Sequence, residues 1–304
     1  MIRDPMCNKT YWDEWVVFGQ NRAIQMQANL MQPSVDLSYE PQYVAELSQT
    51  YYEQIIRLYS RGDEIEYLAT YFPPMLDAWE KSEQLGASVW NDEIKHLRHT
   101  WAVNFDCYHG HFWKIALALL LDIPDDQWQR LVILVGNEGE DVLLDRLIAS
   151  RSPSRKIGAE LCFPKPYARL LAAMDAPPAK QASLLKAFVN HWFEEIGQFS
   201  KNTRVPQLNP YKKTYWYNFA LPAYVDGGAY FGQWCLEAAA AAKAFGLDDS
   251  LCLGHRHYPG DFLRPNGPTT HPARPDVLLA PELGQETPSS GKRAGWLARI
   301  LGKR

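Results

Sequence analysis

Apolar residues recur three and four positions apart along most of this chain, the spacing that lines one face of an α-helix. Trp12, Val16, Gly19, Ala23, Met26 and Leu30 make the first such stripe, which Gln32-Pro33 ends. Val44, Leu47, Tyr51, Ile55 and Leu58 make the second. Ser38 is its expected cap, Pro41 is tolerated in its first turn, and Arg61-Gly62-Asp63 closes it and caps the next helix. Ile65, Leu68, Phe72, Leu76 and Trp79 mark a third helix that Pro73-Pro74 must kink or split. The longest pattern is Ile94, Leu97, Trp101, Phe105, Tyr108, Phe112, Ile115 and Leu119 behind a cap at Asn91. It predicts one helix of about 28 residues through the centre of the fold, ended by Pro124.

Two shorter helices are expected over residues 128–135 and 140–149, separated by a glycine breaker. A loop over 150–166 is the candidate boundary between two halves. Helices over 167–174 and 179–198 come after it, the second with the stripe Leu185, Phe188, Trp192 and Ile196. A further long helix is expected over 226–245, with Tyr230, Trp234, Ala238, Ala241 and Phe245 on one face and Gly246 as its stop. The run Val132-Ile133-Leu134-Val135 follows a helix start and reads as buried helix, so no segment reads as a strand. The expected fold is all-α, an antiparallel helical bundle in two packed halves. Residues 259–288 hold seven of the 21 prolines, which predicts a mobile, disordered tail. At its end Trp296, Leu297, Ile300 and Leu301 sit among basic residues, a cluster too short to hold a membrane stably.

Composition adds three constraints. An aromatic share of 13%, with 11 Trp and 16 Tyr, is high and predicts helices packed through their rings. Five scattered cysteines (Cys7, Cys107, Cys162, Cys235, Cys252) without C-x-x-C spacing fit free thiols in a reducing cytoplasm. The charged, proline-bearing start is no secretory signal, so a cytoplasmic location is expected. The net charge of -4 hides an asymmetry: Lys292, Arg293, Arg299, Lys303 and Arg304 are the sole charges past residue 291, and without these five the rest carries -9. A body that acidic repels nucleic acid and suits a basic partner.

Candidate chemistry is sparse. Glu93-x-x-His96 puts two ligand types on one helical face, but di-iron bundles need the motif twice with two further carboxylates. His96 and His99 therefore read as an exposed pair, and no metal or cofactor is expected. Cys107 and His111 lie four apart without an orienting third group, and His109 faces elsewhere. Asp125-Asp126 and Asp248-Asp249 each lack the third carboxylate of a magnesium-binding diphosphate motif. No phosphate loop or nucleophile elbow is present. The chain therefore reads as a protein that binds, not an enzyme. The alternative is a helical enzyme with a buried Glu/His/Tyr site, built on Glu237 and the cluster from His96 to His111.

One segment is more specific. Tyr217 is followed by Asp226-Gly-Gly-Ala-Tyr230-Phe-Gly-Gln-Trp234-Cys-Leu-Glu237-Ala-Ala-Ala-Ala-Ala-Lys243, then Gly246-Leu-Asp248-Asp249, then Tyr258-Pro259-Gly260-Asp261-Phe262-Leu263. This resembles the C-terminal domain of the PoNi immunity proteins: an aromatic-Gly-aromatic-Trp entry, Glu-Ala-Ala, a Lys, a Leu/Ile-Asp-Asp and a closing Tyr-Pro-x-Asp-Leu. Gln233 stands where an aromatic is usual, and Gly260 replaces a second Tyr. Arg3-Asp4-Pro5 and Tyr11-Trp12-Asp13 look like the start of the family's N-terminal domain. The resemblance implies an N-terminal domain over residues 1–123, a C-terminal domain over 124–263 and a tail over 264–304 outside both. It also implies an immunity protein that binds a cognate PoNe-type DNase toxin, commonly delivered by type VI secretion, and occludes it with an acidic surface. Tyr230, Trp234, Lys243, Tyr258 and Pro259 are expected to shape the fold. Glu237, Asp248, Asp249 and Asp261 are the acids named as candidates to meet a basic toxin, with Glu237 also a candidate buried partner of Lys243 or a tyrosine hydroxyl.

Overall fold

The computed structural model describes residues 1–201, 214–220, 225 and 228–272. Among the described residues there is no strand. The first helix, α1 (Lys9–Leu30), buries Val16, Gly19, Ala23 and Met26 against α2 (Glu40–Arg61), and Trp12 against Cys7 and Tyr230. Pro41 sits in the first turn of α2, but Ser38 is not its cap: Asp36 takes both the Ser38 amide and hydroxyl, and α2 starts without a side-chain bond. Gly62 ends α2 with φ 104°, a left-handed residue that no Cβ could share with the Met1 carbonyl packed on it. Asp63 does not cap the next helix; its carboxylate pairs with Arg61 instead. The third segment splits into α3 (Ile65–Ala69) and α4 (Phe72–Val89), with both prolines in the first turn of α4, where no amide is needed.

The predicted 28-residue helix is three pieces: α5 (Asp92–His99), a 3-10 turn Trp101–Val103, and α6 (Phe105–Leu120). Asn91 caps α5 as expected. Asn104 causes the break. Extended at φ -130°, it accepts the Cys107 amide at 3.1 Å and donates to the Leu97 carbonyl at 2.8 Å, capping α6 and closing α5 with one side chain. After the break α6 runs through the core with nearly every side chain buried.

Next come α7 (Asp125–Val135) and α8 (Val142–Ala149), and then α9 (Pro164–Asp175) and α10 (Pro178–Lys201), a pair joined by two residues and so packed as a hairpin. The short α11 (Tyr215–Phe219) and α12 (Leu236–Phe245) complete the set. The helix expected over 226–245 thus starts ten residues late. Gly228 (φ 68°) and Gly232 (φ 128°) adopt conformations foreign to an α-helix, and a Cβ on Gly232 would stand 2.7 Å from the Ser60 hydroxyl. Long-range bonds hold the stretch open: Trp216 donates to the Gly232 carbonyl at 3.1 Å and the Cys235 amide to the His257 carbonyl at 2.8 Å. Tyr230 and Trp234 are buried, but from a non-helical segment.

The core is continuous across residue 123, since Ile123 and Trp128 join one cluster with residues of every long helix, and Met1–Arg274 form one compact unit. The proline-rich tail from residue 273, with its Trp296 to Leu301 cluster, lies outside the described residues. Its expected first part is packed: Arg264 reaches Asp249, Thr269 and Thr270 bond Asp261, and His271 is buried with its ring against Tyr59 and Trp234. No described helix is long and apolar enough to cross a membrane. All five cysteines are free.

Replacing Asn104 by Ala removes the cap of α6 and the tie to Leu97 together. Urea unfolding of N104A is expected to show a loss of about 1–2 kcal/mol. An unchanged midpoint would mean that the break does not depend on this side chain.

Candidate functional site

The stretches that carry the resemblance, at the N-terminus and over 230–263, meet at the end of α2. Ser60 is the meeting point. Its carbonyl accepts the Arg3 and Asp4 amides at 3.0 Å, and its hydroxyl accepts the Trp234 indole N–H at 2.8 Å. Tyr59 stacks on Phe262 with ring centroids 4.2 Å apart and meets Trp234 edge-on. The Tyr230 hydroxyl donates to Asp4, its ring leans on Trp12, and its carbonyl accepts the Tyr11 hydroxyl at 2.8 Å. Segments more than two hundred residues apart therefore close on each other through paired polar groups.

Asp261 is the charged part of this junction. Arg3 Nε approaches it at 2.7 Å, while Thr269 and Thr270 supply two hydroxyls and an amide. Burial pushes its carboxyl up, but the bonds from Thr270, Arg3 and Thr269 outweigh this and hold it below the usual range. Asp249 forms a second closed node: the Tyr258 hydroxyl donates to it at 2.8 Å and Arg264 grips both oxygens at 2.8 and 2.5 Å. Pro259 is buried and leads into the 3-10 turn Gly260–Leu263. Gly260 is needed there because a Cβ would lie 2.7 Å from the Thr270 hydroxyl. Gln233 is buried too, donating to the Ala220 carbonyl and accepting from Arg256 at 3.0 Å. Lys243 does not pair with Glu237; it reaches Asp122 at 2.6 Å and the Leu120 carbonyl at 3.2 Å.

Glu237 occupies the core, with no exposed surface. Its Oε1 accepts the Tyr167 hydroxyl from α9 and the Trp192 indole N–H from α10, each at 3.2 Å. Its Oε2 has no partner among the described residues. Trp113 of α6 lies close enough to favour the ionised form, though its N–H closes no hydrogen bond. His109 Nε2 lies 3.9 Å away, but burial drives this imidazole down to about 3, so the contact joins a neutral ring to an acid and is no ion pair. Burial raises the Glu237 carboxyl to about 7, because two neutral donors cannot replace water around a full charge.

Glu237, His109 and Tyr167 thus meet as the alternative enzymatic reading requires, but no solvent reaches the carboxylate. The rest of that reading is scattered. His99 pairs with Glu83 at 2.7 Å on the surface and His96 with the Thr100 hydroxyl at 3.1 Å. Cys107 does approach His111 Nε2, at 3.7 Å, but burial pushes its thiol up to about 12, and it is a weak nucleophile. Among the described residues no three His, Cys, Asp or Glu could share a metal ion.

Of the four acids named as candidates, Asp248 alone is exposed, its carboxylate accepting the Ser250 amide at 2.9 Å. Glu237, Asp249 and Asp261 are buried, and their carboxylates face interior partners. Two further buried acids escaped the sequence reading. Asp141 caps α8 through the Leu143 and Leu144 amides and takes the Tyr108 hydroxyl at 3.1 Å. Asp145 binds Arg155 at 2.7 Å, both side chains being buried. Asp141 was legible as a helix cap before an apolar run; the Asp145–Arg155 pair leaves no local signal.

The family model described as "PoNe immunity protein (PoNi), N-terminal" matches residues 3–133, and that described as "PoNe immunity proteins (PoNi), C-terminal" matches residues 139–262. A solved structure titled "The Crystal Structure of Protein PA2201 from Pseudomonas aeruginosa" resembles this fold with a TM-score of 0.61 at 19% identity, over 86% of this chain and 90% of that one. No curated protein matches the chain.

The Glu237 carboxyl binds its proton more tightly folded, near pH 7, than unfolded, near 4.5. Its contribution to stability is then full below about pH 4.5 and lost as pH rises through about 7, a change of about 3 kcal/mol. The stability of wild type relative to Glu237→Gln, by urea unfolding, should fall between pH 5 and 8. A difference that stays flat would place the carboxyl pKa outside this window.

Proposed function

Since the chain belongs to the PoNe immunity protein (PoNi) family, we propose that it binds and neutralises a PoNe-type DNase toxin inside the bacterium that makes it. The observation that carries the reading is the match to both halves of the family over residues 3–133 and 139–262. Physical chemistry supplies the means. A DNase must present a basic surface to DNA, and residues 1–272 carry 25 basic and 32 acidic side chains. A rigid acidic body can occupy that surface, associate quickly through long-range attraction, and hold the nuclease away from its substrate. Occlusion needs a preorganised surface and no chemistry of its own. The sealing of Glu237 removes the support for the enzymatic alternative. Delivery of the toxin by a type VI secretion system and action in the cytoplasm complete the proposal.

The purified chain is expected to bind the nuclease encoded beside its gene with Kd on the order of 1 nM, with an association rate that falls as salt rises. Its co-expression should restore growth to cells that produce the nuclease. Absence of both binding and rescue would overturn the reading.

A further inference from the structure

Most large apolar side chains that reach solvent on this protein do so singly, as Ile133 and Ile157 do, and such residues need no explanation. One stretch is different. Of the fifteen exposed large hydrophobic residues among those described, seven fall between Val17 and Tyr39. They lie on the outer face of α1 and on the turn into α2. With Trp12, Val16, Gly19, Ala23 and Met26 facing inward, a helix must present positions 17, 18, 21, 24, 28 and 31 outward. Phe18 is 52% exposed, Ile24 64%, Met31 84% and Val35 104%. Between Phe18 and Val35, Arg22 is the sole charged residue. Next to this strip a groove of ≈ 410 Å³ opens between the end of α1 and the start of α2, lined in part by Leu30, Pro33, Tyr39 and Tyr43.

The rim of this strip is acidic. The α1–α2 hairpin, Lys9 to Arg61, carries four basic and six acidic residues, a net charge of -2. Glu14, Asp36 and Glu40 border the apolar strip and enter no ion pair with described residues, while Glu46 meets Arg22 at 3.7 Å. Hydrogen bonds from Ser38 hold the Asp36 carboxyl below the usual range, so it stays ionised. An apolar centre nearly free of charge with an acidic rim is the complement of an apolar patch set in a basic surface.

We propose that the outer face of α1 and the α1–α2 turn are the docking surface for the basic nuclease, with the groove beside Val35 receiving one apolar side chain of that partner. This rests on the immunity reading and adds the place of contact. Binding here leaves the Glu237 core and the Ser60 junction untouched, because α1 enters the fold through its opposite face.

The test uses the full chain and the nuclease encoded beside its gene, with Ile24→Lys combined with Met31→Lys. The charge-matched control is Ile133→Lys with Ile157→Lys, on exposed positions elsewhere. The α1 pair is expected to weaken binding by about 100-fold or more and abolish rescue, with an unchanged thermal midpoint, while the control binds like wild type. Val35→Lys, at a fully exposed turn position, guards against a folding effect and should weaken binding about tenfold. Wild-type affinity in the α1 variants would overturn the surface and leave the immunity reading standing. A wild-type chain that does not bind the nuclease would overturn that reading and the occupant with it. A wild-type dimer that the α1 pair converts to monomer would overturn the proposal by assigning this face to a second copy.

Discussion

A carboxylate buried without solvent must find donors or keep its proton, and Glu237 does both in part. The demand organises the second half of the molecule. Tyr167 from α9 and Trp192 from α10 must reach one oxygen, and His109 and Trp113 from α6 must close the remaining sides. The helix that carries the acid must come very near α6, and Ala238 to Ala242, all buried, let it do so. Large rings on α6 and a run of alanines on α12 are two sides of the same packing decision. A larger residue in that run would push the acid away from its donors.

The N-terminus closes the other end of the fold by the same logic. Arg3 answers the buried Asp261 and also donates to the carbonyls of Tyr59 and Asp63 at the end of α2. Removing Arg3 would take the ion-pair partner from Asp261 and a side-chain donor from both carbonyls at once. The segment after Asp261 is held by the same carboxylate, so the compact fold extends beyond the family motif to His271. Polar groups thus fix the frame from inside, and under the proposed role recognition falls to the outer surface of a body that is rigid before it binds.

Helix content was legible in the sequence because the period of 3.6 needs no partner to be visible. Breaks were less legible where the apolar register survives them. Ile94 to Leu119 keeps its spacing across Asn104, so periodicity alone runs the helix through a residue whose side chain ends it. Tyr230 to Ala238 likewise fits a helical stripe, although Gly228 and Gly232, the bond from Trp216 to the Gly232 carbonyl and the bond from the Cys235 amide to His257 keep the first part non-helical. Glu237 could be suspected from its position among apolar residues. The burial of Asp249 and Asp261 could not, since their partners Arg264, Tyr258 and Arg3 are joined to them by the fold alone. The outer strip of α1 was hidden for the opposite reason: once the buried stripe is found, Val17, Phe18 and Ile24 look like the polar face of the helix.

Hydrogen–deuterium exchange of the full chain, alone and with the nuclease, separates a locked core from a binding surface in a single measurement. Amides of α1 and of residues 31–40 are predicted to slow on binding, while those of α12 are protected before the partner arrives and do not change. Protection gained in α12 and around Glu237, with none in α1, would contradict the account.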